Sequence, residues 1–378
     1  MPVLGSPQEY RAIIHWRGGS RPFVSPSVDA LTELSWSRTV NDISEAQVTI
    51  AKAGAAECCA QLGQVEPWVH ELSLYRDLDL VWQGPIARQP RETRSSFVIE
   101  AQDMLGWLAR CQNTWLLRYV TDTPDAAGRR RGPVQWIAQH IIEANLTSPF
   151  SDPPDYPNLL RHIVRNDGPT ARFEKDGSSN AAVWSASVLD VLHELALRGL
   201  EFTTSGRSLL LRFSKRESDR AQTRLTLDHV IGDIEVIKDG SAAATYAWAT
   251  SQRSNDISDG ATAGTGEIGT PYGRLDWLVA SATDAGEAEL EQMAREALRG
   301  RYPAPLVVSV PTGSRLAPTA PLSIHQLVAG ERLDLTTEGF CMETTAAFTL
   351  SDVEVGWGAA GEEVAVTLVP TAALPEGI

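Results

Sequence analysis

The chain has 378 residues, 43% of them hydrophobic and 21% charged, with a formal net charge of −15. That length accommodates two or three domains, each with its own core, and the ordinary globular composition excludes pervasive disorder. The acidic balance speaks against a nucleic-acid grip, which needs clustered Lys and Arg to neutralise phosphates, and no apolar run reaches the roughly 20 residues of a membrane helix.

The opening residues, 1–16, lack the charged and then apolar stretches of a signal peptide. The first hundred residues read as short strands. Ala46, Val48 and Ile50 alternate with Gln47 and Thr49, the two-residue period of a half-buried strand, after a turn at Asn41–Asp42. Further runs at 70–77, 79–89 and 95–103 are separated by Asp, Gly and Pro, a spacing that predicts a small barrel or sandwich. Met104, Leu105 and Leu108 then mark one face of a short helix.

Residues 111–226 change character. Residues 122–132, with Arg129, Arg130 and Arg131 set among Gly, Pro and Asp, read as an exposed loop. Pro133 suits a first helical turn, and Val134, Ile137, Ala138 and Ile141 form a helical stripe. Residues 148–157, rich in Pro and Asp, read as irregular. A second helix is capped by Ser185 or Ser187, has Val188, Leu189, Leu192, Leu195 and Ala196 as its apolar face, and ends at Gly199 in a left-handed turn. Residues 199–215 read as a hairpin around Ser205–Gly206.

From Leu225 the strands return. Residues 225–240 read as two strands with a turn at Asp239–Gly240, and residues 251–269 as a mobile loop. A helix runs from Asp284 to about Arg299 with Leu290, Met293, Ala294, Ala297 and Leu298 as its stripe. Glu287 and Glu289 near its start and Arg295 and Arg299 near its end match the helix dipole. Strands at 332–340, 346–357 and 362–370 close the chain. The expected fold is mainly β with α insertions (α+β): a strand-rich 1–110, an α+β insertion 111–226, and a β-rich 227–378 that carries the helix 284–299.

No catalytic, cofactor-binding or metal-ligating residue is assigned. Cys58 and Cys59 are adjacent, Cys111 and Cys341 stand alone, and without a C-x-x-C pair they read as thiols of a reducing compartment. Gly264–Gly269 spells G-x-G-x-x-G, but a dinucleotide fingerprint needs a strand just before it and a helix just after. Here the sequence reads as a polar loop before it, and Thr270–Pro271 follows. His193–Glu194 opens like a zinc-protease motif, yet Leu197 stands where the second histidine belongs. The histidines at 15, 70, 140, 162, 229 and 325 are scattered, and no G-x-S-x-G elbow occurs. Paired carboxylates for glycan hydrolysis stay open on sequence alone. The Arg129–Arg131 run reads as solvated loop charge, and Asn145-Leu146-Thr147 as a sequon in form only. Trp82, Trp107, Trp184 and Trp277 sit in apolar patterns and read as core.

Several segments, in a shared order over most of the chain, resemble the minor tail protein family of long-tailed (siphovirus) phages infecting actinobacteria. They are Ser35-Trp36-Ser37-Arg38-Thr39-Val40-Asn41-Asp42 with Ser44-Glu45-Ala46, then the Trp82-x-Gly84 strand within 81–86. Residues 99–103, ending in Asp103, and the helix-like 105–110, ending in Arg110, follow. Residues 228–233, 272–275 and 322–330 continue the series, the last with Ala329 where the family usually has proline. The resemblance implies a tail-tip hub similar in fold to baseplate hub proteins, with two tail-tube-like β-barrel domains per chain. Three copies would then form a pseudo-sixfold ring that joins the tail tube to the distal tip. Implied partners are the other two copies of a homotrimer, a distal tail protein, the tape measure protein and other tail-tip proteins. DNA would pass through the lumen without specific binding, along a wall that carries part of the negative charge. No cofactor, no membrane and no enzyme activity is implied, and the place is the virion's distal tail, with host cytoplasm during assembly. A tail-associated cell-wall hydrolase and a host-receptor-binding module, with the aromatics of 111–226 as its first candidates, remain the alternative readings.

Overall fold

The computed structural model describes residues 3–7, 9–19, 21–88, 90–113, 130–143, 145, 160–163, 170–173, 186–213, 223–251, 260–264, 273–281, 285–299, 301–302, 304–311, 314–342 and 345–370. The N-terminal part has strands β1 (Tyr10–Trp16), β2 (Pro22–Val24), β3 (Leu31–Thr39), β4 (Glu45–Ala51), β5 (His70–Arg76), β6 (Asp79–Pro85), β7 (Arg91–Glu92) and β8 (Ser96–Gln102). Two short helices, α1 (Cys59–Leu62) and α2 (Leu105–Arg110), accompany them. The alternation seen in β4 is realised: Ala46, Val48 and Ile50 are buried, while Glu45 and Gln47 face out. Strands β2-β1-β5-β6 form one antiparallel sheet, and β3-β4-β8-β7 lie in another. Both sheets contribute to one core, to which each fully buried Leu, Ile or Val adds roughly 1.5–3 kcal/mol.

The following segment has β9 (Arg130–Pro133), α3 (Val134–Ile142), β10 (Leu160–Ile163), β11 (Thr170–Phe173), α4 (Val188–Ala196), β12 (Leu200–Ser205) and β13 (Ser208–Phe213). β9 pairs with β11, and β10-β13-β12 form a three-stranded sheet. The stripes of α2, α3 and α4 meet over β12 and β13 in a second core. Ser187 starts α4 with a reciprocal cap: its hydroxyl accepts the Asp190 N–H at 3.1 Å, and Asp190 accepts the Ser187 N–H at 2.9 Å. Gly199 ends the helix region at φ 96°, and Gly206 turns the hairpin at φ 56°. Ser187→Ala is expected to cost about 1 kcal/mol, read as a lower urea midpoint at unchanged slope.

The last part has β14 (Thr223–Leu225), β15 (Val230–Ile231), β16 (Glu235–Lys238), β17 (Tyr246–Ser251), β18 (Ala261–Gly264), β19 (Asp276–Ser281), α5 (Glu287–Leu298), β20 (Leu306–Ser309), β21 (Arg315–Leu316), β22 (Arg332–Thr336), β23 (Thr345–Gly358) and β24 (Gly361–Pro370). A third core lies between α5 and the sheet β18-β17-β19. There Ala247, Ala249, Ala261 and Ala263 present small side chains to Leu290, Met293 and Ala294, which lets helix and sheet approach closely.

The long hairpin β23–β24 ties the chain together. β23 pairs antiparallel with β3, Val355 opposite Trp36 and Val353 opposite Arg38. One sheet therefore runs β16-β20-β24-β23-β3-β4-β8-β7, with β22 attached to β23 and β14 to β22. The largest core correspondingly draws on residues 4–101 and 225–368. The expected class, mainly β with helices set between strands, is the observed one. The sheets are open: no ladder closes into a barrel among the described residues.

Several local expectations need correction. Arg130–Pro133 is a strand rather than the end of a loop, because β11 pairs with it, residue 131 against 172. Ala261–Gly264 is likewise a strand, recruited by β17, inside what reads as a mobile loop. The two strands expected within 225–240 are present as the short β15 and β16, but the stretch opens with the end of β14 at Leu225 and a 3₁₀ turn at Leu227–His229. Helix α5 starts at Glu287 after Gly286, whose N–H is accepted by the Glu289 carboxylate at 3.4 Å. Residues 148–157, Ser185 and Asp284 lie outside the described residues.

Candidate functional site

The residues that carried the sequence resemblance gather at joints between segments. Arg38 is fully buried and donates to the carbonyls of Leu327 at 2.7 Å, Ile324 at 3.2 Å and Val81 at 2.6 Å, pinning β3 to β6 and to the 324–327 turn. Burial pulls its guanidinium down to about 10, still charged at neutral pH. At Gly84, β6 crosses the end of β8 so closely that a Cβ would overlap the Gln102 carbonyl oxygen. Asn41, at φ 58°, accepts the Phe202 N–H on its side chain at 2.8 Å and offers its carbonyl to His193 Nε2 at 3.0 Å.

Asp103 is the most connected of these groups. Its carboxylate accepts the Leu105 N–H at 2.9 Å, the Ser44 N–H at 3.2 Å and the Thr204 hydroxyl at 2.7 Å, so it joins β4, α2 and β12. Complete burial outweighs these bonds and pushes its carboxyl up to about 6. The folded chain thus holds this proton more tightly than the unfolded chain. The resulting stabilisation is complete below about pH 4 and is lost as pH rises through about 6. Asp103→Asn is expected to flatten the urea-stability curve of the chain between about pH 4 and 7.

Other joints carry no sequence motif. Glu362 on β24 takes a bidentate ion pair from Arg76 on β5, both bonds at 2.8 Å, and also accepts the Tyr10 hydroxyl. Desolvation and the neighbouring Glu362 push the Tyr10 hydroxyl well above its usual range. Arg207, at the tip of β12–β13, pairs with the buried Glu71 on β5. Arg212 on β13 donates to the Ala329 carbonyl at 2.5 Å beside Gly330, whose φ is 84°. Arg198, just past the end of α4, bonds Glu194 at 3.0 Å and the Ser281 hydroxyl of β19 at 3.3 Å. The insertion is therefore clamped to the body on several sides.

The outward face of the large sheet is polar and acidic. Where β3, β4, β8, β23 and β24 turn Leu34, Val48, Ile99, Val353, Val355, Val364 and Val366 to the core, they turn Ser35, Glu45, Gln47, Glu100, Glu354 and Glu363 away from it. A groove of about 670 Å³ lies on this face. Its lining holds five carboxylates, Glu45, Glu100, Asp352, Glu354 and Glu363, and one cationic residue, Arg88. Arg88 is neutralised by Glu100 at 3.0 Å, and Arg91 pairs with the same carboxylate. A second hollow of about 340 Å³ continues along Ser35, Gln47, Gly356 and Glu363. Period-two alternation of Glu354 with Val353 and Val355 was the available sequence signal for this face, but it does not say which strands lie side by side.

The residues weighed for chemistry stay apart. Among the described residues no group of three or more His, Cys, Asp or Glu could hold a metal ion. Cys58, Cys59 and Cys111 are half-buried and Cys341 is exposed, and none of the four is in a disulfide. Gly264 ends β18 beneath the Tyr246 ring, which a Cβ there would press. A strand, not a polar loop, thus precedes the G-x-G-x-x-G run, while residues 265–272 lie outside the described residues. Asn145 is buried, with its amide donating to Asn113 at 3.0 Å and to the Ile141 carbonyl at 2.8 Å, an interior role that a glycan acceptor could not have. Trp82 and Trp107 are buried and Trp277 half-buried under Arg301, whereas Arg129 and Trp184 lie outside the described residues. No described helix is long and apolar enough to cross a membrane.

No family model matches the chain. No curated protein sequence matches it either. Solved structures do. The 43 kDa tail protein of prophage MuSo2 from Shewanella oneidensis superposes with a TM-score of 0.59 at 11% identity, over 96% of this chain and 98% of that one. A tail protein from Neisseria meningitidis MC58 gives 0.59 at 12% identity, over 97% and 99%. Prophage tail protein gp18 from Listeria monocytogenes gives 0.54 at 11% identity, over 95% and 94%. The chain has the fold of these phage tail proteins from end to end.

Proposed function

We propose that this chain is a structural hub, a minor tail protein at the tail tip of a long-tailed phage infecting actinobacteria. Three copies form a pseudo-sixfold ring that joins the tail tube to the distal tip and encloses the DNA channel. The end-to-end likeness to three tail proteins carries this reading, since each comparison spans at least 95% of this chain. The strand-rich 1–110 and 227–378, which share one open sheet and one core, form the tube-like body of each copy, and 111–226 is the insertion between them. The open sheet supports the ring, because β16 and β7 leave an edge at each end where a neighbouring copy can continue it. Partners are the distal tail protein, the tape measure protein and other tip proteins, and assembly in the host cytoplasm precedes residence in the virion. The chain performs no chemistry in this role.

The acidic groove faces the lumen. A wall of one charge sign repels phosphate and lets DNA slide, whereas a basic wall would trap it through counterion release. Cryo-electron microscopy of intact tail tips is expected to show three copies with Glu45, Glu354 and Glu363 toward the axis. A chain that stays monomeric alone and with its tail partners, or an arginine-lined lumen, would refute the assignment.

A further inference from the structure

At one end of the sheet β2-β1-β5-β6 the chain assembles an arginine and tryptophan rim. Trp16 packs edge-on against Phe23 with ring centroids 5.1 Å apart, and both rings rest on His70 at 4.7 and 4.2 Å. Trp68 meets Trp107 edge-on at 5.2 Å. Two guanidinium groups cover this pair, Arg17 over Trp107 at 4.3 Å and Arg110 over Trp68 at 5.1 Å. The Arg17 N–H donates to the Val69 carbonyl at 3.0 Å, so the two aromatic groups form one patch.

Two features exceed what packing of α2 requires. Trp16 is 40% exposed and Val69 37%, although both border a well-filled core, and Arg21 and Arg110 are also exposed. Trp68 sits at φ 63°, a conformation that bulky L residues rarely adopt, held by its N–H bond to the Ile86 carbonyl at 2.9 Å. Such strain persists where the surroundings enforce it, and it is found at ligand clamps. Core packing explains Trp107. It does not explain Trp16.

Resting on the hub reading above, we propose that this rim docks the chain onto an acidic protein surface with an apolar centre, the facing side of the adjoining ring of the same tail. Tryptophan and arginine are the side chains that dominate the cores of protein interfaces. Guanidinium groups already laid on indole faces lose little freedom on binding. In a chain of net charge −15, the exposed Arg21 and Arg110 beside these rings select a partner of negative sign. The carboxylate-lined groove lies on the other sheet, so one molecule offers DNA a repelling wall and a neighbouring ring an attractive rim.

The test uses the full-length chain, its Trp16→Ser and Arg110→Glu variants, and their combination. Tails of the same particle assembled without this chain are the probe, with binding followed by biolayer interferometry. Wild-type binding is expected to weaken about tenfold between roughly 50 and 500 mM NaCl. The double variant should stay folded, with the wild-type far-ultraviolet circular dichroism spectrum, and bind about 30-fold more weakly or worse. Undiminished binding of the double variant overturns the proposal. So does loss of self-association in place of tail binding, or duplex DNA bound through the same residues. A wild-type chain that never enters tails removes the hub reading as well, whereas entry that ignores these substitutions removes this inference alone.

Discussion

Gly84→Ala is expected to leave little or no folded protein, with a loss of roughly 3–5 kcal/mol where any can be measured. The added Cβ would collide with the carbonyl oxygen of Gln102 and with the Asp103 backbone, atoms that cannot rotate away as a flexible side chain would. Relief requires β6 to lift from β8, which also disturbs the buried Asp103 with its bonds to Ser44, Leu105 and Thr204. Soluble yield and urea unfolding check the outcome. Gly356→Ala is the control: nothing lies within 4 Å of its added Cβ, and its effect should stay within about 0.5 kcal/mol.

The second large effect is electrostatic. Changing Glu45, Glu100, Glu354 and Glu363 together to lysine should convert a face that ignores duplex DNA into one that binds it. If each lysine neutralises one phosphate, affinity should fall by about 100-fold as salt rises from roughly 50 to 200 mM. Fluorescence anisotropy with a labelled duplex, read at several salt concentrations, measures the slope. Phage carrying the quadruple substitution should eject DNA more slowly. Wild-type protein that already binds DNA, or a lysine variant that does not, would contradict a repelling channel wall.

Much of the local structure was legible in the sequence, because its signals are short-range. A serine cap at Ser185 or Ser187, the stripe Val188, Leu189, Leu192, Leu195 and Ala196, and Gly199 define α4 without reference to anything distant, and the structure places the cap at Ser187. The same holds for Ala46, Val48 and Ile50 in β4. Strands that depend on a remote partner were not legible: β9 exists because β11 pairs with it, and β18 because β17 does. For the same reason the acidic face was visible only as an overall charge. Glu45 and Glu363 are more than 300 positions apart, and only the β3–β23 junction brings their strands into one sheet. The residues that carried the sequence resemblance, Arg38, Gly84 and Asp103, proved to be joints whose hydrogen bonds and close contacts hold segments together.

The pairing of β3 with β23 sets a delay during synthesis. The central sheet needs residues 352–357 opposite residues 34–39, so its N-terminal strands leave the ribosome some 300 residues before their partner exists. At roughly 5–20 residues per second this interval is about 15–60 s. During that time the β23-facing edge of β3 has no partner and the shared core lacks its C-terminal share, and distant contacts make closure slow once the hairpin arrives. Nascent chains of this protein should therefore lean on holdase chaperones, and fragments truncated before residue 345 should aggregate while the full polypeptide does not.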